Sequence, residues 1–157
     1  MLRIRLHWPA GGVTMEHDPR HDRRADLALG AGSRVPHFEV ATLDGSRVRY
    51  ADAIWQRRNL LLVLLPETAS PGAQRYLDGL RAASGELAAL RTTLVLAAEA
   101  VGRLRPPAVI VADEWGEIAH VEAPAEGGVA SLSPPEELLS WVRYLSTRCP
   151  ECEGEVH

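Results

Sequence analysis

Residues 59–73 read NLLLVLLPETASPGA, and this stretch decides the expected fold. Leu60–Leu65 is an unbroken run of branched apolar residues that ends at Pro66. A short run of this kind, closed by proline and turn residues, is typical of a strand buried on both faces. Such a strand lies in the middle of a sheet, so we expect the sheet to be built around it. After the loop at 67–72, the spacing predicts an amphipathic helix that begins near Ala73.

The segments on either side of this stretch complete an α/β pattern. Upstream, residues 38–41 and 47–50 predict a hairpin around the turn Asp44-Gly45, and a short helix is expected over 51–56 with Ile54 and Trp55 inward. Downstream, the helix from Ala73 carries an apolar face to Leu87, with a break expected at Ser84-Gly85. The strand at 92–98 should therefore run parallel to the central one.

The last third of the chain predicts two more strands and a closing helix. Strands are expected at 108–112 and 117–122, antiparallel to each other across the turn 113–116. The final helix should begin with Ser133 as its cap, Pro134 at its first position and Glu136 completing a capping box. Its predicted buried face consists of Leu138, Trp141, Val142 and Leu145. Trp55, Trp115 and Trp141 are interpreted as packing residues, and His120 as an ordinary strand histidine.

The loop also carries a resemblance to a known family. Pro66-x-x-x-Ser70-Pro71-Gly72-Ala73 resembles the Pro-x-x-x-Thr-Pro-Gly-Cys loop of peroxiredoxins of the bacterioferritin-comigratory type. Gly32-x-x-Val35-Pro36-x-Phe38, followed by Leu43-Asp44-Gly45, resembles the opening of the same superfamily, the alkyl hydroperoxide reductase and thiol-specific antioxidant redoxins. The match covers about residues 32–144. It implies a thioredoxin-like α/β fold, with a central mixed sheet flanked by helices.

The resemblance also says where the ancestral site lies and what this chain lacks there. Ala73 stands where the family has its peroxidatic cysteine, so the resemblance implies a degenerate active site. The ancestral loop would comprise Thr68, Ser70, Pro71, Gly72 and Ala73. Pro107 matches the cis-proline that faces this loop in the superfamily, and Arg105 is the candidate for the arginine that polarises the peroxide. Ser70 has no histidine and acid at motif spacing, so it is not expected to act as a nucleophile.

Composition narrows the classes of function that remain. The chain has 157 residues, a net charge of −4 and no lysine, so a general nucleic-acid binder is not expected. No apolar run approaches the roughly 20 residues that cross a membrane. Two cysteines exclude a disulfide scaffold. We expect a cytoplasmic protein without a membrane segment and without a cofactor.

The chain is expected to divide into three parts. Residues 1–30 are polar and aperiodic and predict a disordered extension, in which the histidines and aspartates at 17–22 form a solvated tail rather than a metal site. Met15 is a second candidate start. Residues 31–148 are the predicted thioredoxin-like domain, and residues 149–157 form a C-terminal tail.

The tail contains Cys149-Pro150-Glu151-Cys152, for which three interpretations remain open. The pair could cycle between dithiol and disulfide, although its position after a helix C-terminus and beside glutamates disfavours a thiolate. It could be half of a zinc site with His157, which would need ligands from a second chain. It could also be an idle or structural pair. No metal site is assigned.

Two classes of function follow from these observations. The first is a binding module without peroxidase activity, which uses the ancestral groove for an unknown protein or small-molecule partner. The second is a thiol–disulfide redox protein that acts through Cys149 and Cys152; if the chain is an enzyme, it is then a thiol-dependent oxidoreductase. Nucleic acid and membrane are not expected as partners, and a homodimer remains open.

Overall fold

The elements follow the predicted alternation of strands and helices. The structure is a computed structural model that describes residues 29–148. The disorder predicted for the N-terminal extension and the state of Cys149 and Cys152 therefore lie almost wholly outside the described residues. The elements are β1 (Glu39–Ala41), β2 (Arg47–Arg49), α1 (Tyr50–Ala53), β3 (Asn59–Leu64), α2 (Pro71–Ala82), α3 (Ser84–Ala89), β4 (Thr92–Ala97), β5 (Ala108–Ala112), β6 (Ile118–Glu122), a 3-10 turn (Gly128–Ser131) and α4 (Pro135–Thr147).

The main sheet is built around β3, as the apolar run predicts. Its strand order is β4-β3-β5-β6. β4 runs parallel to β3, with Asn59 opposite Thr92, and β5 runs antiparallel to β3, with Leu64 opposite Ala108. β6 is antiparallel to β5. Because β3 has a hydrogen-bonded neighbour on each side, its backbone groups are paired within the sheet and all of its leucines can be buried.

The side chains on the two faces of β3 belong to two separate apolar clusters. Leu60, Leu62 and Leu64 pack towards the β1–β2 hairpin and α1, whereas Leu61 and Val63 pack towards α2, α3 and α4. All of these side chains are 0% exposed. The period-two alternation of a strand thus places one layer on each side of the sheet. This explains why the sequence of β3 is continuously apolar rather than alternating.

Two helices differ from the sequence-based expectation. α1 ends at Ala53, three residues earlier than predicted, because Gln56 takes a positive φ of 61° and donates its N–H to the Glu114 carbonyl. α4 begins one residue later than predicted, with Pro134 at the cap position and Pro135 first. No side chain caps α4, so the capping box of Ser133 and Glu136 is wrong. The Ser133 N–H donates instead to the Glu122 carboxylate, 2.8 Å away.

The burial of the tryptophans was predicted only in part. Trp115 is 51% exposed in the turn between β5 and β6, so its interpretation as a packing residue is wrong. Asp113 organises this turn, because its Oδ1 accepts the Trp115 N–H at 2.9 Å and leaves the indole directed away from the core. Trp141 is only partly buried on α4, and Leu139 is a buried residue of that helix that the predicted face omits.

The packed part of the chain begins by residue 29. Leu29 contacts the β1–β2 side of the core, and the Gly30 N–H donates to Ser33 Oγ at 3.0 Å. These two residues belong to the segment predicted as a disordered extension. Among the described helices, none is long and apolar enough to span a membrane.

Candidate functional site

The loop after β3 is fixed by a helix cap that the sequence analysis did not identify. Ser70 Oγ accepts the Ala73 N–H at 3.2 Å, and the Ser70 carbonyl accepts the Gln74 N–H at 3.0 Å. The side-chain amide of Gln74 donates back to the Thr68 carbonyl. Ser70 is therefore the N-cap of α2, and its role is to hold the loop. α2 begins at Pro71, two residues earlier than predicted, because proline is favoured at the first helical position.

Ala73 lies in the first turn of α2, with its side chain completely buried. Pro71 has no N–H, and the N–H groups of Ala73 and Gln74 are taken by Ser70, so the helix dipole is the main influence that favours negative charge at this position. The chain nevertheless provides only a methyl group there. The geometry can hold a reactive anion, whereas the side chain that the sequence supplies has no nucleophile to offer.

A groove of about 760 Å³ borders this loop, and we call it the loop groove. One wall comes from the loop and the start of α2, including Glu67, Ser70, Ala73, Arg75 and Tyr76. The other wall comes from residues 127–135, which include the 3-10 turn and the start of α4. This second wall was missed by sequence analysis, because the segment has no apolar periodicity. Gly127-Gly128 was the available signal, and both residues adopt positive φ values.

Hydrogen bonds on both sides of Ser133 hold the second wall in place. Tyr76 Oη, from α2, donates to the Ser133 carbonyl at 2.7 Å. Glu122 Oε2, at the end of β6, accepts the Ser133 N–H, and its other oxygen lies 2.6 Å from His120 Nε2. An ionised carboxylate can only accept, so the imidazole donates this bond. The His120 ring stacks on Trp141 with centroids 4.7 Å apart, which joins β6 to α4.

The pKa values of the two ionisable groups that contact Ser133, Tyr76 and Glu122, are both shifted. Burial, with a further contribution from Glu122, raises the pKa of Tyr76 well above its ordinary value, so the phenol remains a hydrogen-bond donor. Burial by itself would raise the pKa of Glu122, but the hydrogen bonds from His120 and Ser133 outweigh it and lower the pKa below its ordinary value of 4.5. Glu122 is therefore ionised at neutral pH, and we interpret it as a positioning residue for the groove wall.

We expect Glu122→Gln to lower the free energy of unfolding at pH 7 by about 1 kcal/mol, the typical difference between a hydrogen bond to a charged group and one to a neutral group. Because the folded pKa is lowered, the contribution of the carboxylate is fully present above the unfolded value of about 4.5 and is lost as the pH falls through the folded pKa. Urea unfolding from pH 7 down to pH 3 checks this. The gap between wild type and variant should close on acidification.

The exposed Glu126→Gln is the matched control and should show no such pH-dependent gap. A Glu122 gap that stays constant from pH 7 to pH 3 would show that the charge of Glu122 contributes nothing to the fold.

The structure brings only part of the expected site together. Ser70, Gly72 and Ala73 line the loop groove, whereas Arg105 and Pro107 are not among its lining residues. The Pro106–Pro107 bond is cis, as the resemblance implies. In the β3–β5 register Leu64 lies opposite Ala108, so Pro107, which precedes Ala108, lies near the end of β3 from which the loop leaves.

Three more loop residues complete the comparison. Thr68 is half-buried, and its carbonyl is used by Gln74. Pro71 is exposed as the first residue of α2. Arg105 is exposed, and the guanidinium that lines the groove belongs instead to Arg75. Arg75 was not predicted as a site residue, because the family resemblance places the arginine near Pro107.

The Cys149–Cys152 tail starts at the opposite end of the domain from the loop groove. Pro135, the first residue of α4, lines the loop groove, and Leu145 and Ser146 near its last turn line a different groove beside Asn59. A helix of 13 residues is about 20 Å long at 1.5 Å per residue. Four extended residues from Arg148 to Cys152 reach at most about 14 Å. The described part of the chain thus ends at Arg148, at the end of α4 away from Ala73.

Comparison with solved structures establishes the fold. The chain superposes on peroxidoxin BcpB from Mycobacterium tuberculosis with a TM-score of 0.57 and 16% identity, over 78% of this chain and 100% of that one. The fold is thioredoxin-like. A yeast mitochondrial 1-Cys peroxiredoxin gives a TM-score of 0.60 and 13% identity, over 75% of this chain and 76% of that one.

Another similar structure is named for thiol–disulfide exchange and not for peroxide reduction. A putative thiol:disulfide interchange protein DsbE from Chlorobium tepidum gives a TM-score of 0.56 and 12% identity, over 76% of this chain and 99% of that one. No protein-family model and no curated protein matches the sequence significantly. The structural likeness, at these identities, supports a peroxiredoxin-like thioredoxin fold and leaves the activity to be argued from the site.

Proposed function

We propose that this protein is a binding module that retains the peroxiredoxin-like scaffold without its peroxidase chemistry, and that the loop groove is its binding site. The observation that carries the proposal is Ala73: a completely buried methyl group occupies the first turn of α2, where peroxidase chemistry needs a thiolate. Ser70, one of the two hydroxyl residues of the loop with Thr68, uses its side-chain oxygen to cap α2.

The walls of the groove indicate the kind of ligand it takes. Val129, Leu132, Pro134 and Pro135 supply apolar surface along one side, and the exposed Glu67 and Arg75 give the rim both signs of charge. A few polar groups around an apolar wall are typical of a ligand site. We infer that the ligand is an apolar side chain of a protein partner or a small apolar molecule.

Peroxide consumption by the Cys149→Ser/Cys152→Ser double variant tests the absence of peroxidase chemistry. We expect the rate to equal that of buffer, because neither Ala73 nor Ser70 can attack the oxygen–oxygen bond. Enzymatic turnover in this cysteine-free chain would refute the proposal. Wild type measured beside it reports any separate contribution of the tail thiols.

Binding is tested with a variant that fills the groove from its exposed wall. Ala130 lines the groove and is exposed, so Ala130→Arg should block it without disturbing the core. Ala123→Arg is the matched control, since Ala123 is also exposed but does not line the groove. With anilinonaphthalene sulfonate, an aromatic dye with one anionic sulfonate, as probe, NMR shifts at 66–76 and 127–135 are expected in wild type and Ala123→Arg only. Equal shifts in Ala130→Arg would place the binding elsewhere.

The alternative is a thiol–disulfide redox protein that acts through Cys149 and Cys152. The thiol:disulfide interchange name of one structural relative supports it. Against it stands the position of the tail, at the end of α4 remote from the α2 N-terminus that lowers a thiol pKa in such proteins. Thiol titration against pH and zinc quantification on the full chain separate the alternatives: a thiolate pKa below about 7 favours redox chemistry, and stoichiometric zinc favours a metal site.

A further inference from the structure

A second groove lies at the end of the sheet opposite the loop groove, and parallel pairing creates it. Arg58 and Arg91 each precede the first residue of a strand, and Asn59 lies opposite Thr92 in the β3–β4 register. The two arginines are therefore neighbours, although they are 33 positions apart in the sequence. They line a groove of about 310 Å³, which we call the arginine groove.

The arginine groove has two guanidinium groups and, among its described lining residues, one carboxylate. Arg58 Nε is buried and has no hydrogen-bond partner among the described residues. Arg58 Nη2 reaches the Thr92 carbonyl at 3.5 Å, and Arg91 Nη2 donates to the Arg57 carbonyl at 3.0 Å. A buried guanidinium N–H without an acceptor is costly, so the site calls for an anionic or carbonyl partner. Among the described lining residues, Glu114 is the only carboxylate.

We propose that the C-terminal tail of this chain docks in the arginine groove through its glutamates. The last turns of α4 form part of the groove, because Leu145 and Ser146 line it. The tail follows directly and carries glutamate at positions 151, 153 and 155. α4 ends at Thr147, so the reach is counted from Arg148: an extended chain spans up to about 10 Å to Glu151 and up to about 24 Å to Glu155.

Charge complementarity favours the tail over an apolar occupant. Two guanidiniums face one carboxylate in the groove, and the nine residues after Arg148 bring three carboxylates and no lysine or arginine. A carboxylate matches the fork geometry of arginine and can accept from Nε and an Nη together. The docked tail supplies the acceptor that Arg58 Nε lacks. This inference goes beyond the proposed binding function and does not depend on what occupies the loop groove.

Docking would change the electrostatic environment of the two cysteines. Cys149 and Cys152 would lie close to Arg58 and Arg91, and opposite charge favours a thiolate. Glu114 in the groove acts in the opposite direction, as do the tail glutamates.

Hydrogen exchange on the full-length chain tests the docking. At low ionic strength we expect the amides of 149–157 to exchange about five- to tenfold more slowly than in a free peptide of the same sequence, the size that two or three partly exposed ion pairs can give. Protection should disappear at about 1 M salt, where the screening length is about 3 Å. Arg91→Gln should also abolish most of it, and Arg58→Gln/Arg91→Gln all of it. Since Arg91 is exposed, the single variant keeps the test valid if the double variant does not fold.

The control is Arg81→Gln, which removes an exposed arginine of α2 that pairs only weakly, at 3.7 Å, with Asp78. It should leave tail exchange unchanged. Inorganic phosphate provides the second arm: a docked tail competes with it, so Glu151→Gln/Glu153→Gln/Glu155→Gln should bind phosphate severalfold more tightly than wild type. A tail that exchanges at the free-peptide rate in wild type overturns the proposal. Equal phosphate affinity in the two proteins also overturns it and makes the groove a site for an external anion.

Discussion

Truncating Leu62 to alanine is expected to lower the free energy of unfolding by about 2–5 kcal/mol, the range for a large-to-small change in a packed core. Leu62 is 0% exposed in the middle of β3 and faces the cluster that includes Leu60, Leu64 and Ile110. The sheet fixes the backbone on both sides of it, so the surrounding residues can close little of the cavity. Equilibrium unfolding in urea, with the slope checked for two-state behaviour, measures the loss.

Leu94→Ala is the matched control on the neighbouring strand. Leu94 lies opposite Leu61 in the β3–β4 register and is only partly buried, so its truncation should cost clearly less. Equal losses at the two positions would show that the core depends no more on β3 than on β4. A loss below about 1 kcal/mol at Leu62 would contradict close packing on the hairpin side of the sheet.

The fold could be predicted because its main elements depend on local pattern. Leu60–Leu65 predicts a central strand, since a run that is apolar at every position can only be satisfied by burial on both faces. The face from Ala73 to Leu87 predicts α2 and α3, and their break falls at residue 83, next to the expected Ser84-Gly85. In each case neighbours in the sequence determine the outcome.

Features that depend on distant contacts could not be predicted from pattern. Ser133 looks like a helix cap, but the Glu122 carboxylate takes its N–H and the cap position moves to Pro134. Trp115 looks like a core residue, yet it lies in a tight turn. Both errors come from tertiary geometry that overrides a reasonable local preference.

In the two grooves, too, residues set by local sequence could be predicted, whereas residues brought together by distant contacts could not. Ser70 and Ala73 could be placed because they follow β3 directly, whereas the opposite wall at 127–135 has no periodic signal. Arg58 and Arg91 are ordinary surface residues in the sequence. They become neighbours only through the register of β3 and β4. That pairing could be inferred once the strands are taken as parallel, because parallel strands bring the residues before them together.

Replacing Ala73 by cysteine is expected to give the chain a thiol that reacts with hydrogen peroxide. In a Cys149→Ser/Cys152→Ser background this is the only thiol, and the parent double variant, which keeps Met1 and Met15, gives the baseline rate. The first turn of α2 offers the positive end of the helix dipole to a thiolate, and Arg75 lines the same groove. These influences lower the thiol pKa, whereas burial of the site raises it.

We expect the balance to favour the thiolate because the helix dipole acts at the first turn and Arg75 lines the same groove as Ala73. We expect a pKa about one unit below the free value of about 8.5. Formation of sulfenic acid, followed by mass spectrometry, should be slow compared with a true peroxidase, because Arg105 does not line the groove to polarise the peroxide. Adding Arg75→Gln should raise the pKa and slow the reaction further.

Ala73→Ser in the same background is the control for the added volume. One more heavy atom at a completely buried position costs about 1–3 kcal/mol if it must be packed inwards, and serine should cost more than cysteine there because a buried hydroxyl also loses its hydration. A folded cysteine variant with an ordinary or raised pKa would show that burial outweighs the helix terminus. The scaffold would then lack more of the peroxidase site than its sulfur, and restoring activity would require the groove walls to change as well.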